Sequence, residues 1–167
     1  MRSSRRQFIR AGLAGSLLLS FSGWLNAAGA RALTDSERAL LGAVGHAMLD
    51  GVLPGDVGQR QRLLQQTVDA IAVEVAGLSL ATQRELGQLF GLLVSTPGRM
   101  ALAGVSRPWR EASTEEVQHF LQSWRNSRLA LFQTAYAALH DLTFGAWYAR
   151  SDSWDAIGYP GPPQGVF

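Results

Sequence analysis

The sequence has 167 residues, of which 15 are basic, 13 are acidic and 47% are apolar. It contains no cysteine, and all 15 basic residues are arginines. A chain of this length has room for one domain with its own hydrophobic core. The missing cysteines exclude disulfides, thiolate zinc sites, iron–sulfur clusters and covalent haem attachment. The missing lysines exclude Schiff-base chemistry and the lysine of a phosphate-binding P-loop.

The net charge of +2 arises at the N-terminus, where four arginines lie within the first ten residues. Residues 31–167 carry 11 arginines and 13 acidic residues, a net charge of −2. The basic character therefore belongs to a segment that we expect to be removed, and the sequence does not predict a nucleic-acid partner.

Residues 1–30 have the pattern of an export leader. Paired arginines precede an uncharged, mildly apolar stretch from Ala11 to Ala30. This arrangement resembles a twin-arginine signal peptide, which implies recognition by the twin-arginine translocase and a periplasmic location. That route is known for carrying proteins that are already folded, often with a cofactor or a partner attached. The residues expected to form the export signal are Ser4, Arg5, Arg6, Phe8 and Ile9.

Two bonds in this region match the small-x-small rule for leader removal. The segment Ala28-Gly29-Ala30 predicts a cut after Ala30, and Ala30-Arg31-Ala32 allows one after Ala32. A retained membrane anchor is the alternative, since a spanning helix needs about 20 residues. The glycines and serines of the stretch favour removal.

The remainder is predicted to be all-α, as a small helical bundle over residues 31–150. A capping box at Thr34 and Glu37 opens a first helix, Asp35 to Asp50. A turn over residues 51–58 and a second helix closed by Gly77 follow. A third helix begins at Ser79 and stops at residues 96–98, before a short helical piece at 100–103 and an irregular connection at 104–113.

One long C-terminal helix is predicted from about Thr114 to Arg150, opened by a second capping box at Ser113 and Glu116. From Leu129 onward it carries apolar and aromatic groups on more than one face. We expect protein to surround this half on most sides. The sequence favours a central helix of the bundle over a partner surface.

Motifs for catalysis are missing, since the chain has no Gly-x-Ser-x-Gly, Gly-x-Gly-x-x-Gly or His-Glu-x-x-His pattern. His46 and Asp50 lie four apart and could share a metal, but no third ligand is predictable, and a polar pair on a helix flank is the favoured interpretation. No catalytic residue, metal site or cofactor is therefore assigned to this chain.

His140 and Asp141 interrupt the apolar half of the last helix. Because adjacent helix positions do not face each other, we expect each to find a partner elsewhere. The favoured interpretation is a buried hydrogen bond or ion pair, with Arg125 or Arg128 as the cation.

The end of the chain carries a second resemblance. Residues 144–150, Phe-Gly-Ala-Trp-Tyr-Ala-Arg, precede the segment Trp154-Asp-Ala-Ile-Gly-Tyr-Pro-Gly-Pro-Pro163. This region resembles the C-terminal part of small subunits of flavin-dependent dehydrogenases, of the gluconate 2-dehydrogenase subunit 3 type. The resemblance implies a non-catalytic subunit attached to a large, FAD-containing flavoprotein of the glucose–methanol–choline type. That partner lacks a leader, is exported with this subunit, and commonly passes electrons to a cytochrome c, with membrane association through the complex.

Residues 151–167 form an irregular tail rich in proline, glycine and aromatic residues, which we interpret as a docking tail. Prolines reduce the entropy lost on binding, and large aromatic groups often dominate interfaces. The alternative is a tail folded over its own bundle. The residues expected to contact the partner are Trp147, Tyr148, Trp154, Ile157, Gly158, Tyr159, Pro160, Pro162 and Pro163.

Two other function classes stay open at this point. One is an independent periplasmic helical protein that binds a small apolar ligand within its bundle. The other is a metal-dependent or histidine-dependent enzyme, which is the weakest because no ligand triad or nucleophile–base set is identifiable.

Overall fold

The computed structural model describes residues 31–149, and its regular elements there are helices without any strand. The all-α prediction is thus confirmed for this part of the chain. The leader expected at 1–30 and the tail expected at 151–167 lie outside the described residues. Between 31 and 149, none of the helices has the length and apolar character needed to cross a membrane. The elements are α1 (Asp35–Met48), α2 (Val57–Gly77), α3 (Leu80–Val94), α4 (Thr96–Gly98), a π-helical turn (Arg99–Ala103), α5 (Thr114–Arg125) and α6 (Ala130–Tyr148).

The helix starts follow the local capping signals. The Thr34 hydroxyl accepts a hydrogen bond from the Glu37 amide, and the Glu37 carboxylate accepts one from the Thr34 amide. Ser113 and Glu116 make the same reciprocal pair at the start of α5. Both predicted capping boxes are confirmed, and they satisfy amide groups that have no partner inside the helix.

The helix at the centre of the bundle is α1. It packs against α2, α3, α5 and α6, and Leu40, Leu41 and Val44 on it are fully buried. Gly45 of α1 faces Leu64 of α2, since a Cβ atom at Gly45 would lie at the ordinary contact distance of 3.7 Å from Cδ2 of Leu64. The expectation of a central C-terminal helix is therefore wrong.

The single long helix expected from about 114 to 150 is also wrong, because α5 and α6 are separated by residues 126–129. The amide of Ser127 bonds to the carbonyl of Trp124 at 3.2 Å, and the Ser127 hydroxyl accepts a bond from the Leu129 amide at 3.1 Å. The break lets α6 fold back against α5, where the rings of Trp124 and Phe132 have centroids 5.1 Å apart. Packing of α6 against α5 thus stabilises the broken arrangement in place of one continuous helix.

The buried indoles of Trp109 and Trp124 donate hydrogen bonds that stabilise the region between α3 and α5. Nε1 of Trp109 donates to the carbonyl oxygen of Leu93 at 2.7 Å, and Nε1 of Trp124 donates to that of Leu102 at 2.9 Å. Phe120 lies between the two indoles, with ring centroids at 5.8 and 4.8 Å. The connection at 104–113 is therefore tied to the core although it has no regular structure.

Gly98 marks a close approach of two backbone segments after α3. A Cβ atom at this position would lie 2.0 Å from the carbonyl oxygen of Leu92. The chain can fold back here only because glycine has no side chain. The predicted stop of α3 at residues 96–98 is confirmed.

Candidate partner interface

Five rings recur at every fourth position of α6, and the last four of them contact one another in sequence. We call this surface the α6 stripe, and its members are Phe132, Tyr136, His140, Phe144 and Tyr148. Ring centroids lie 5.9 Å apart for Tyr136 and His140, 4.6 Å apart for His140 and Phe144, and 5.8 Å apart for Phe144 and Tyr148. These are contact distances for aromatic pairs, so the side chains support one another along the helix.

The stripe is half-buried from Phe132 to Phe144 and exposed at its last residue, Tyr148. An α-helix has about 3.6 residues per turn, so every step of four residues advances by about 40° around the axis. At its start, Phe132 packs on Trp124. At its end, 47% of Tyr148 is exposed. The aromatic ring at the C-terminal end of the stripe is thus the most accessible one.

The middle of the stripe borders an open cleft between α1, α5 and α6, with a volume of about 630 Å³. Tyr136, His140 and Phe144 form one wall. Two hydrogen bonds hold the opposite wall in place, since Nε2 of Gln118 donates to the Ala47 carbonyl at 3.3 Å and to the Asp50 carboxylate at 3.2 Å. The residues lining that wall include Met48, Gln118, His119, Leu121 and Arg125. The lining of this cleft therefore mixes apolar, aromatic and polar side chains.

A second open cleft, of about 470 Å³, lies between α1, α2 and the 104–113 connection. Its lining mixes the apolar side chains of Leu64 and Val68 with the charged side chains of Arg38 and Arg110. Pockets for small apolar ligands enclose most of the ligand surface. An open and mixed cleft does not provide such an enclosure.

His46 and Asp50 both face α5 rather than each other. Nδ1 of His46 lies 3.1 Å from the Thr114 hydroxyl, and the Asp50 carboxylate accepts the bond from Gln118. Across residues 31–149, no three histidine, aspartate or glutamate side chains are grouped so that they could hold a metal ion. The two residues join α1 to α5.

His140 is half-buried and Asp141 is exposed, which contradicts the expected burial of the pair. Their side chains are 43% and 84% exposed, and Nδ1 of His140 lies 3.2 Å from Oδ1 of Asp141. Neighbouring side chains on a helix diverge, but at the surface the imidazole and the carboxylate have room to turn toward each other. The expected pairing with Arg125 or Arg128 is wrong, and Arg125 instead lines the cleft opposite His140.

An acidic group lies on the α2 side of α6. A Cβ atom at Gly145 would lie 3.4 Å from Oε2 of Glu74, so this carboxylate packs closely on α6. Partial burial raises the pKa of Glu74, and the nearby carboxylate of Asp141 raises it further. The exposed face of α6 therefore has carboxylates near its α2 side and Arg125 across the cleft on its α5 side.

Two of the predicted partner residues are described. Trp147 is only 3% exposed and belongs to the core face of α6, so it cannot contact a partner without leaving the core. Tyr148 is exposed at the end of the stripe. The other predicted partner residues, from Trp154 to Pro163, and the export residues Ser4 to Ile9 lie outside the described residues.

Tyr136, His140 and Phe144 lie in the aromatic half of the expected long helix, but the sequence does not single them out as partner residues. The signal that could have found them is the four-residue spacing of rings from Phe132 to Tyr148. The polar character of His140 concealed this series, because it was interpreted as an interruption of an apolar face.

Comparisons with known proteins identify no relative. Protein-family models, curated protein sequences and solved structures were compared with the chain, and none matches. A proposal about function therefore depends on the leader pattern, the C-terminal resemblance and the α6 stripe.

Proposed function

We propose that this chain is a non-catalytic small subunit that binds a large FAD-dependent sugar or alcohol dehydrogenase and accompanies it through the twin-arginine translocase to the periplasm. The observation that carries the proposal is the α6 stripe, because its exposed end leads directly into the segment that resembles the gluconate 2-dehydrogenase subunit 3 family. In this proposal the large subunit lacks a leader of its own.

The chemistry of the stripe supports a protein partner. Tyrosine supplies a large contact area with little rotamer entropy to lose, and aromatic residues are enriched where interfaces derive most of their binding energy. Tyr148 is exposed, while Tyr136, His140 and Phe144 are half-buried and line an open cleft. Such a surface can bury apolar area on binding and still hydrogen-bond at its polar tips.

The role of each subunit in this proposal follows from the resemblance. The flavin and the substrate belong to the large subunit, and a cytochrome c subunit receives the electrons. This chain contributes the leader and the binding surface, and its association with a membrane comes through the complex.

The test starts from the full chain carrying a C-terminal tag, purified from its native host. A flavin absorption spectrum and a second, larger polypeptide should appear in the purified material. Replacing Phe144→Ser together with Tyr148→Ser should remove both signals and leave the helical circular dichroism unchanged.

A matched control is Val73→Ser, which changes a side chain that is 75% exposed on α2, away from the stripe. This variant should retain the flavoprotein. Purified wild-type protein that contains neither flavin nor a large polypeptide would overturn the proposal. Equal retention by the stripe variant and the control would show that the stripe is not the interface.

The alternative of a small-ligand carrier receives less support. The two clefts described above are open, and each mixes polar with apolar lining. Lipid or another small apolar molecule that co-purifies in place of a flavoprotein would favour it.

A further inference from the structure

Arg31 is joined to the folded body by contacts from both its backbone and its side chain. Its amide donates a 3.0 Å hydrogen bond to Oε1 of Gln83 in α3. Its guanidinium pairs with the carboxylate of Glu37 in α1. The guanidinium also lies over Gly87 of α3, where a Cβ atom would come within 3.1 Å of it. Arg31 thus bridges two helices.

The acceptor for the Arg31 amide is held in a defined orientation. Gln83 is 5% exposed, and its Nε2 group donates to the carbonyls of Ala76 at 3.2 Å and Leu78 at 2.9 Å. Both amide hydrogens are therefore in use, and Oε1 remains as an acceptor toward Arg31. A free α-ammonium group at Arg31 can donate to this oxygen as a peptide amide does.

The carboxylate that pairs with Arg31 is buried. Glu37 is 2% exposed and also accepts hydrogen bonds from the amide and the hydroxyl of Thr34, at 2.9 and 3.0 Å. A buried carboxylate that loses its cation is strongly destabilising. Loss of Arg31 is therefore expected to destabilise the fold.

We infer that the leader is removed between Ala30 and Arg31, and not between Ala32 and Leu33. The inference rests on the part of the proposed function in which residues 1–30 are a removed leader. A leader peptidase adds water across the bond, which leaves a carboxylate on Ala30 and an ammonium group on Arg31. That ammonium group then donates to Oε1 of Gln83.

A cut after Ala32 conflicts with the same contacts. It would remove Arg31 and leave Glu37 without its cation. It would also place the new charged terminus on Leu33, which is 9% exposed and packs in the core. Charge on a buried residue without a partner is costly.

The test determines the N-terminus of the exported protein. The full chain with a C-terminal tag is expressed in its native host, and the periplasmic form is analysed by intact mass. We expect a chain that begins at Arg31. A chain that begins at Leu33, at Met1 or at any other residue would overturn the inference.

Two substitutions in the precursor separate the competing sites. Ala28→Gln places a large residue at one of the two small positions needed for the cut after Ala30, and it leaves those for the cut after Ala32 unchanged. It should reduce the amount of processed protein. Ala32→Gln places a large residue at one of the two small positions needed for the cut after Ala32 only. It should leave both the N-terminus and the yield of the processed protein unchanged. The opposite pattern would contradict the inference.

A stability measurement tests the physical reason. Arg31→Ala should lower the melting temperature of the exported protein by roughly 5 °C or more, and the same change in a Glu37→Gln background should lower it less. An unchanged melting temperature for Arg31→Ala would remove the basis of the inference.

Failure of the proposed function would give a different result on the same samples. A chain that begins at Arg31 but has no bound flavin would contradict the proposed flavoprotein partner and support the proposed processing site. A chain that begins at Leu33 and has bound flavin would support the flavoprotein partner and contradict the processing site.

Discussion

The imidazole of His140 lies against the ring of Phe144, with their centroids 4.6 Å apart. His140 also meets Tyr136 on its other side, so it links the rings of Tyr136 and Phe144 within the α6 stripe. The ring that connects the series is thus the polar one, and its side chain is 43% exposed.

We expect His140→Ala to weaken binding of the flavoprotein about tenfold, because a gap would open in the contact surface. The melting temperature should change little, since the side chain is outside the core. Leu80→Ala, which changes a side chain 57% exposed on α3, is the control and should bind normally. Affinity is measured as the flavin retained per subunit over a dilution series, and equal retention by the two variants would argue against the stripe.

Trp109→Phe should reduce the free energy of unfolding by about 1 to 3 kcal/mol. The ring is largely preserved, but the Leu93 carbonyl loses the 2.7 Å bond from the indole in a buried place. Urea denaturation followed by circular dichroism gives the value. Val73→Ala, at a position that is 75% exposed on α2, should change it by less than about 0.5 kcal/mol. Equal stabilities of the two variants would show that the bond to Leu93 contributes nothing.

Gly98→Ala should destabilise the protein by about 1 to 3 kcal/mol, since the added methyl group would meet the Leu92 carbonyl oxygen at 2.0 Å. Gly91→Ala in α3 is the matched control, because its Cβ would meet nothing within 4 Å. There alanine should stabilise the helix by up to about 1 kcal/mol. Opposite signs in a thermal unfolding experiment confirm the prediction, and two equal effects contradict it.

Glu74→Gln should raise the melting temperature at pH 7. Because burial and Asp141 raise the pKa of Glu74 in the folded protein above 4.5, the ionised carboxylate costs stability. Wild-type stability should therefore fall, relative to the variant, as the pH rises from below 4.5 through the raised pKa.

Melting curves of both proteins between pH 4 and pH 7 measure this difference, which should be smallest at the acid end. Asp141→Asn removes the negative charge that is the second cause of the raised pKa of Glu74. It should also raise the melting temperature at pH 7, but by less than Glu74→Gln does. A lower melting temperature of Glu74→Gln at pH 7 would contradict the assignment.

Replacing Arg5→Lys together with Arg6→Lys should cause the precursor to accumulate in the cytoplasm. The charge is kept, but the planar guanidinium groups that a specific receptor recognises are lost. Arg2→Lys with Arg10→Lys keeps the pair intact and should be exported normally. Cell fractionation followed by immunoblotting measures both, and normal processing of the Arg5 and Arg6 variant would exclude the twin-arginine assignment.

Local chemistry is enough to predict where three of the helices begin. Thr34, Ser79 and Ser113 cap helices because their hydroxyls reach backbone amides three residues ahead. These interactions need no distant partner, so sequence patterns identify them. The apolar spacing likewise predicted the all-α class and the buried positions of α1, such as Leu40 and Val44.

The interruption at residues 126–129 depended on tertiary contacts. Asn126 and Ser127 are weak helix formers, yet neither must end a helix. The break exists because folding back places Trp124 on Phe132, and such contacts between distant faces are not visible in local spacing. The central place of α1 was decided in the same way, by four helices packing around a segment with small residues.

The exposure of the candidate site likewise depended on how the helices pack. The four-residue spacing of the α6 rings and the pairing of capping groups are visible in the amino-acid sequence. The sequence could not determine which side of α6 would meet α1, α2 and α5, since that depends on how the neighbouring helices close. Their packing buries Trp147 and leaves Tyr148 and His140 accessible, because a helix that contacts neighbours along one face must present the other face to solvent.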